Sequence, residues 1–258
     1  VVARHVAALL RNARLVVDLR AANEVKLGFI SRMSHELKTP LTAILGYSEL
    51  LREELLAAEN PLGADGAATI EESGRKLLGI VESILEIAKL QSGTIRFRSE
   101  SLDLLSVIQE RLPRWRKQAE GRELSLSVNW TDEGPTEVWC DRARLHQILD
   151  ELLDNALKFS HDRGEVRIEV DPGRDHVRCT VIDQGIGVAP ADQERIWEPF
   201  QQVSEKIHLD YGGLGIGLAL VKSLVVLQGG RVKLDSTLGE GSRFSFTLPS
   251  RAPEREPA

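Results

Sequence analysis

The first 90 or so residues carry the hydrophobic spacing of helices. Apolar residues recur every seven positions from Val2 to Leu37, with Asn23 as the polar exception. A seven-residue repeat of this kind is the seam of a coiled coil. The apolar residues then become more closely spaced, as on one face of a helix; they are Leu37, Leu41, Ile44, Leu45, Leu51 and Leu55. The pattern predicts one long helix with a buried stripe.

A second helix is predicted after the stretch "ENPLGADG" (Glu59 to Gly66), where Pro and Gly indicate a turn. Its stripe consists of Ile70, Leu77, Val81, Ile84, Leu85 and Ala88, and "QSG" (Gln91 to Gly93) ends it. Two helices with one apolar stripe each cannot enclose a core. Two such hairpins can do so as a four-helix bundle, and we therefore expect a homodimer.

From Thr94 onward the pattern changes to strands interleaved with helices. The predicted strands are "TIRFRS", "ELSLSVNW", "TEVWC", "EVRIEV", "HVRCTVID", "GRVKLDS" and "SRFSFTLP". Helices are predicted at about 102–120, 142–159 and 215–228. This order predicts an α/β sandwich, one sheet with helices on one face, so that the whole chain is of the α+β class.

Four segments follow from these patterns. We expect an N-terminal coiled-coil helix at 1–23, a dimerisation hairpin at 24–92, a sandwich domain at 93–250 and a polar tail at 251–258. The sequence starts inside a predicted helix, which is typical of a piece of a longer protein.

Composition narrows the function classes. The chain has 258 residues and a net charge of −6, which argues against a dedicated nucleic-acid binder. Cys140 and Cys179 are far apart and lack metal-type spacing, so we expect reduced thiols in a cytoplasmic protein. No apolar run reaches the roughly 18 residues of a membrane span. The basic excess before Arg32 fits a solvated coiled-coil face better than a membrane-proximal segment, and the sequence leaves membrane attachment of the full-length protein open.

Two glycine-rich stretches are the first chemical signal. "DQGIGV" (Asp183 to Val188) follows a strand, and "YGGLGIGL" (Tyr211 to Leu218) opens a helix. Glycines let the backbone approach a ligand closely, and a helix N-terminus offers free N–H groups to phosphate. Each stretch alone fits an ordinary turn equally well, and the common phosphate-loop and dinucleotide motifs do not fit either one.

A third signal lies on the helix predicted at 142–159. Glu151, Asn155 and Lys158 are at i, i+4 and i+7 and so share one face. A carboxylate and an amide oxygen beside a cation can hold Mg²⁺ and its phosphates. A solvated helix face is the alternative for this element taken alone.

In order and spacing, these stretches resemble the sensor histidine kinases of two-component systems. "DNALKFS" resembles the N box, "DQGIG" the first glycine box, "IWEPF" the F box and "GGLGIGLAL" the second glycine box, while "SHELKTPLTAILGYSELL" resembles the H box. The resemblance runs from about residue 24 to residue 249 and implies an ATP-binding domain of the gyrase, heat-shock chaperone and MutL type. It also implies a homodimer, a response-regulator partner and a sensor domain upstream of this sequence.

The resemblance implies a role for each matching residue. His35 accepts the γ-phosphate of ATP, Glu36 takes or orients its other ring proton, and Thr39 takes part in dephosphorylating the regulator. Asp183 reads the adenine amine, Asn155 coordinates Mg²⁺ and Lys158 lies near the phosphates. An ATP lid runs from about 201 to 212. The remaining expected ATP-site residues are Gly185, Gly187, Phe200, Gly213, Gly215 and Gly217.

Two departures from the family pattern leave alternatives open. Glu151 stands one turn before Asn155, where most histidine kinases have Asn, so it is either a metal ligand or a base as in the gyrase-type ATPases. Leu214 and Asp210 also depart from the usual lid, where Ser or Thr and a basic residue are common. A degenerate kinase acting as a nucleotide-binding scaffold and a gyrase-like ATPase are therefore the rival functions, although the H box contradicts the second.

Overall fold

The computed structural model describes residues 36–92, 95–130, 134–201 and 215–252, together with Ile30, Met33 and Ser34. The predicted coiled coil at 1–23, His35, Gly213 and most of the expected lid lie outside the described residues. The chain divides after Ile95 into two compact units, which we call the hairpin unit and the sheet unit.

The hairpin unit consists of helix α1 (residues 36–57) and helix α2 (Pro61–Gln91). The side chain of Asn60 caps α2 by accepting the N–H of Gly63 at 3.0 Å. Pro61 suits the first helical position, where its missing N–H costs nothing. The break between the helices is therefore shorter than the predicted 59–66, and most of "PLGADG" is helical.

The two helices run antiparallel, as predicted. Lys38 near the start of α1 pairs with Glu82 at 2.6 Å, and Arg52 near its end pairs with Glu71 at 3.2 Å. Of the predicted stripes, Leu41, Val81 and Ala88 are buried. Five stripe residues stay between 45% and 50% exposed in the single chain: Leu37, Ile44, Leu51, Ile70 and Leu77. One hairpin thus buries only part of its apolar surface.

The sheet unit is an α/β sandwich, which confirms the predicted fold class. Its elements in order are β1 (Ser99–Asp103), α3 (Leu104–Glu120), β2 (Ser125–Trp130), β3 (Glu137–Asp141), α4 (Arg142–Phe159), β4 (Glu165–Pro172), β5 (His176–Asp183), a short 3₁₀ helix (Arg195–Trp197), α5 (Gly217–Leu227), β6 (Arg231–Thr237) and β7 (Gly241–Pro249). Strands β2, β4, β5, β7 and β6 form one sheet in that order. Only the β2–β4 pair is parallel in it. Strands β1 and β3 form a separate antiparallel pair.

Buried and exposed residues alternate along the strands, so the sheet has one buried face and one exposed face. In β4, Val166, Ile168 and Val170 are buried, whereas Arg167 and Glu169 between them are partly exposed. The buried side faces the apolar stripes of α3, α4 and α5, and the charged side has no helix packed on it in the described residues. The helices therefore lie on one face, and the strand ends carry the loops that approach α4.

Three predicted boundaries were wrong. The first strand begins at Ser99, because the backbone N–H of Arg98 already bonds to the side chain of Asp141 at 2.8 Å. Helix α3 begins at Leu104, after its cap Asp103, which accepts the N–H of Ser106 at 3.1 Å. Helix α5 begins at Gly217 because Gly215 has φ = 66°, outside the helical range.

Both cysteines are free and buried, in line with the expected reduced thiols. None of the helices in the described part of the chain is both long and apolar enough to cross a membrane.

Candidate nucleotide site

Helix α4 carries the polar face that the sequence singled out. Asp141 caps its N-terminus by accepting the N–H groups of Ala143 and Arg144. The apolar face is fully buried; it consists of Leu145, Ile148, Leu149, Leu152, Leu153, Ala156 and Leu157. Glu151, Asn155 and Lys158 are each only partly exposed. The packing of the apolar face thus fixes the direction in which these three side chains point.

The N-terminus of α5 lies against this polar face. A Cβ atom placed on Gly217 would be 2.2 Å from Oε2 of Glu151 and 4.0 Å from Nδ2 of Asn155. Within the described residues the side chain of the N-cap residue Ile216 makes no capping hydrogen bond, and the first N–H groups of α5 place partial positive charge there. The carboxylate of Glu151 therefore lies where an anion is favoured, and the structure brings Gly217 close to Glu151 and Asn155.

Lys158 completes the polar face one turn beyond Asn155. Burial lowers the pKa of its ammonium group. Its Nζ atom lies 4.9 Å from the centroid of the Phe159 ring, a distance at which a cation is attracted to an aromatic face. The cation is held beside the end of α4.

Asp183 ends strand β5 and is only 5% exposed. Burial raises the pKa of its carboxyl group to about 6, against the opposing effect of the Gly185 and Ser242 N–H groups that bond to it. A buried carboxylate with two oxygens has further acceptor capacity after these bonds. Asp183 is therefore suited to accept an N–H from a ligand at the edge of the sheet.

The glycines of the first glycine box, Gly185 and Gly187, pack against backbone groups of the same chain. A Cβ on Gly185 would lie 2.2 Å from the carbonyl oxygen of Phe159, and Gly185 pairs with Ser160 in an isolated bridge. Gly187 has φ = 63°, and its Cβ would lie 2.0 Å from the carbonyl oxygen of Thr237. Only glycine fits either position, so the box is fastened to the end of α4 and to the β6–β7 turn.

The two sides of the expected lid meet in the described residues. The N–H of Phe200 bonds to the carbonyl oxygen of Gly215 at 3.0 Å, and both residues have positive φ. Phe200 is 58% exposed, whereas Ile196 and Trp197 are buried. The side-chain anchor of this segment is therefore the 3₁₀ helix, and Phe200 contributes its backbone.

The H-box residues lie in the other unit. Glu36 and Thr39 are exposed on α1, and His35 lies outside the described residues.

Several supporting residues gave no signal in the sequence. Gln193 donates to the carbonyl oxygens of Val188 (3.1 Å) and Ser236 (2.9 Å), and the Ser236 hydroxyl accepts the N–H of Val188 at 2.8 Å. These hydrogen bonds attach Val188, the residue that follows the glycine box, to strand β6. Arg122 holds the other side, at the end of α4. These partners are between 35 and 48 residues apart along the chain or lie in irregular segments, so no local pattern predicts them.

Two family models match the chain. Residues 25–93 match the His Kinase A (phospho-acceptor) domain, and residues 140–252 match the histidine kinase-, DNA gyrase B- and HSP90-like ATPase domain. Together they cover more than two thirds of the sequence, and they correspond to the hairpin unit and to most of the sheet unit.

Individual relatives agree with these matches. The chain is 37% identical to the non-motile and phage-resistance protein of Caulobacter vibrioides, over 91% of this chain and 28% of that protein. It is 34% identical to the alginate biosynthesis sensor protein KinB of Pseudomonas aeruginosa, over 92% of this chain and 39% of that protein. The crystal structure of full-length ShkA in complex with AMPPNP superimposes with a TM-score of 0.73 at 31% identity, covering 85% of this chain and 45% of that one. The chain thus spans less than half the length of each of these proteins.

Proposed function

Because the chain belongs to the sensor histidine kinases of two-component systems, we propose that it transfers the γ-phosphate of ATP to His35 and then to an aspartate of a response regulator. The close approach of Gly217 to Glu151 and Asn155 is the observation that supports this most directly. It places a helix N-terminus, a carboxylate and an amide side by side, and these are the groups that a metal-bound triphosphate requires.

Asp183 would hold the adenine end of the nucleotide. Its carboxylate is mostly ionised at neutral pH, because its pKa is about 6. It would accept the exocyclic N–H of adenine, and its burial strengthens that hydrogen bond. Gly185 and Gly187 let the chain pack against the carbonyl groups of Phe159 and Thr237, and this packing fixes the backbone beside the carboxylate.

The phosphate end would lie at the start of α5. Its first N–H groups, which have no acceptor within the helix, and the ammonium group of Lys158 would supply the positive charge that phosphate oxygens need. The donor set fits Mg²⁺, which prefers a few protein oxygens and completes its shell with phosphate and water. Among the described residues no group of three or more His, Cys, Asp or Glu side chains is close enough to hold an ion. Because Asn155 and Glu151 lie together at the start of α5, they would be the protein ligands, and bound Mg²⁺ would neutralise charge on the phosphates.

The nucleophile of the transfer step is a neutral imidazole. A ring nitrogen of His35 forms a bond to the γ-phosphorus with its lone pair, and the bond from that phosphorus to the β,γ-bridging oxygen breaks, so that ADP leaves. The proton on the other ring nitrogen passes to Glu36, the adjacent carboxylate. Because ATP is a cytosolic substrate, we propose that the reaction takes place in the cytoplasm.

The exposed apolar surface of the hairpin unit supports a homodimer. The five stripe residues that remain about half exposed lie on the helical face that the sequence assigns to a core. A second copy of the hairpin would cover them and complete a four-helix bundle.

The test of the proposed function is labelling with γ-³²P-ATP. The wild-type chain should acquire label that is lost in acid and kept in alkali, as a phosphoramidate is. His35→Gln should acquire none, yet bind ATP within about a factor of three of wild type, since the acceptor and the nucleotide site are in separate units. His161→Gln, an exposed histidine of the sheet unit, is the matched control and should label normally. Label retained in His35→Gln would identify another acceptor and refute the assignment, and nucleotide binding without any label in wild type would favour the scaffold.

A further inference from the structure

Arg122 lies in the turn between α3 and β2, and its guanidinium group reaches the C-terminal end of α4. Nη1 donates to the carbonyl oxygens of Leu157 (2.7 Å) and Lys158 (2.8 Å), and Nη2 donates to that of Ser160 (2.8 Å). The last carbonyl groups of a helix have no donor within the helix. One side chain therefore satisfies three acceptors at the end of the helix that carries the polar face.

The same end of α4 is where the first glycine box is attached. The Ile186 N–H bonds to the carbonyl oxygen of Phe159 at 3.2 Å, and the His161 N–H bonds to that of Gln184 at 3.1 Å. Ser160, which Arg122 contacts, also pairs with Gly185. Arg122 thus holds the junction between the segment with Lys158 and the segment with Asp183.

The charge of Arg122 suits this position. A cation at a helix C-terminus is favoured by the helix dipole, and charge-assisted hydrogen bonds are stronger than neutral ones. Arg122 also pairs with Asp162 at 2.6 Å, but Asp162 is 75% exposed. Exposed ion pairs contribute little, so the three carbonyl contacts dominate.

We infer that Arg122 is a positioning residue for the nucleotide. It keeps Lys158, on the phosphate side, in a fixed position relative to Gly185, on the adenine side, through the junction at Ser160. It is at neither end of the site and acts through the end of α4. This inference rests on the proposed ATP site in the sheet unit.

The decisive variant is Arg122→Met, which keeps the length of the stem and removes all donors. The KM for Mg²⁺-ATP in His35 labelling should rise about tenfold, because a less fixed site must be ordered by the nucleotide itself. The rate at saturating ATP should stay within about a factor of two. Arg122→Lys, with one compact donor group in place of a fork, should be intermediate.

Two control variants test whether the loss of any nearby arginine, or the loss of the ion pair with Asp162, has the same effect. Arg163→Met removes a neighbouring exposed arginine that pairs with Glu123 at 2.9 Å, and Asp162→Asn removes only the ion-pair partner. Both should leave KM unchanged. A merely structural role of Arg122 would instead reduce the folded fraction, lowering the rate per mole of protein at unchanged KM, and thermal unfolding measures that fraction.

An unchanged KM in Arg122→Met, or an equal rise in Asp162→Asn, overturns the inference. Should Arg122→Met fail to fold, Arg122→Lys decides, and a wild-type KM in that variant overturns it as well. Direct binding of a fluorescent ATP analogue to the full chain distinguishes this outcome from failure of the proposed function. Wild-type binding without labelling refutes the kinase reaction and leaves the inference testable by affinity, whereas a wild-type chain that binds no nucleotide refutes both.

Discussion

Gly217→Ala separates nucleotide binding from folding at a single position. The added Cβ would lie 2.2 Å from Oε2 of Glu151, whereas ordinary contacts begin at about 3.4 Å. The carboxylate must therefore move by about 1 Å. Because it is the far end of a flexible side chain, that movement costs little. Asn155, with its Nδ2 at 4.0 Å from the new atom, is undisturbed.

Folding should tolerate this change. The backbone of Gly217 is helical, and replacing glycine by alanine in a helix is favourable by up to about 1 kcal/mol. We expect the free energy of unfolding to stay within about 1 kcal/mol of wild type. Gly79→Ala in α2, where the new Cβ meets nothing within 4 Å, is the matched control for the helix effect.

Activity should not tolerate it. A displacement of about 1 Å at a reacting or metal-binding group reduces turnover by as much as 100-fold, and we expect a loss of 10- to 100-fold in kcat/KM for Mg²⁺-ATP. The assays are calorimetric titration with ATP in the presence and absence of Mg²⁺, and the initial rate of labelling. The loss should largely disappear in a Glu151→Ala background, where no carboxylate is left to displace. Wild-type kcat/KM in Gly217→Ala, or a full additional loss in the Glu151→Ala background, would refute the reasoning.

Further predictions concern the metal ligand, the adenine acceptor, the regulator and the dimer. Asn155→Asp should weaken Mg²⁺-ATP binding or turnover strongly because it changes the charge at the metal, and titration at varied Mg²⁺ checks this. Burial raises the pKa of Asp183 to about 6, so nucleotide affinity should fall as the pH drops through 6 and the carboxylate is protonated. The apo protein should gain stability over that range, and both trends should be absent in Asp183→Asn. Thr39→Ala should leave His35 labelling intact but slow ADP-dependent loss of phosphate from the purified regulator. Ile44→Glu should give a monomer by light scattering, and Thr42→Glu, which is exposed away from the stripe, should not.

The sign for Asp183 follows from proton binding. A folded-state pKa above the usual value near 4 means that the folded chain takes up a proton before the unfolded chain does as the pH falls. The free energy of unfolding therefore increases as the pH falls from about 6 to about 4. The increase is at most about 3 kcal/mol, because the pKa of Asp183 is higher in the folded chain than in the unfolded chain by roughly 2. Nucleotide binding shows the opposite trend because it needs the ionised group. A constant affinity across this range would mean that Asp183 does not accept the adenine amine.

Much of the fold could be predicted from the sequence because its signals are local. Helix α4 was predicted with both ends correct, since Asp141 is a strong capping residue and the apolar spacing is unbroken as far as Phe159. The errors occurred where a distant partner competes with local preference. Arg98 lies in a stretch that alternates like a strand, but its N–H donates to the side chain of Asp141, 43 residues away. Gly215 lies where the sequence predicts the start of a helix, but its backbone is left-handed and its carbonyl oxygen accepts the N–H of Phe200.

The sequence offers candidates for the site but not for the side chains that support it. Glu151, Asn155 and Asp183 belong to motifs with fixed spacing, so the order of the boxes along the chain singles them out, and their roles stay predictions. Arg122 and Gln193 belong to no motif, because their contacts are to carbonyl groups, which every residue has. Backbone acceptors leave no signature in the sequence, and only the folded arrangement shows which side chain reaches them.

The glycines show how these two kinds of information combine. The sequence interpretation assigned Gly185, Gly187 and Gly217 to close approach of a ligand, yet each lies against the chain's own atoms. At Gly185 and Gly187 the neighbour is a backbone carbonyl group, which cannot move without shifting a helix end or a strand turn. At Gly217 the neighbour is the movable carboxylate of Glu151. The first two glycines are therefore required for the site to be assembled at all, whereas the third leaves the fold intact and sets the position of one group within it. A motif that looks uniform in sequence thus contains two separable roles, and the identity of the nearest atom tells them apart.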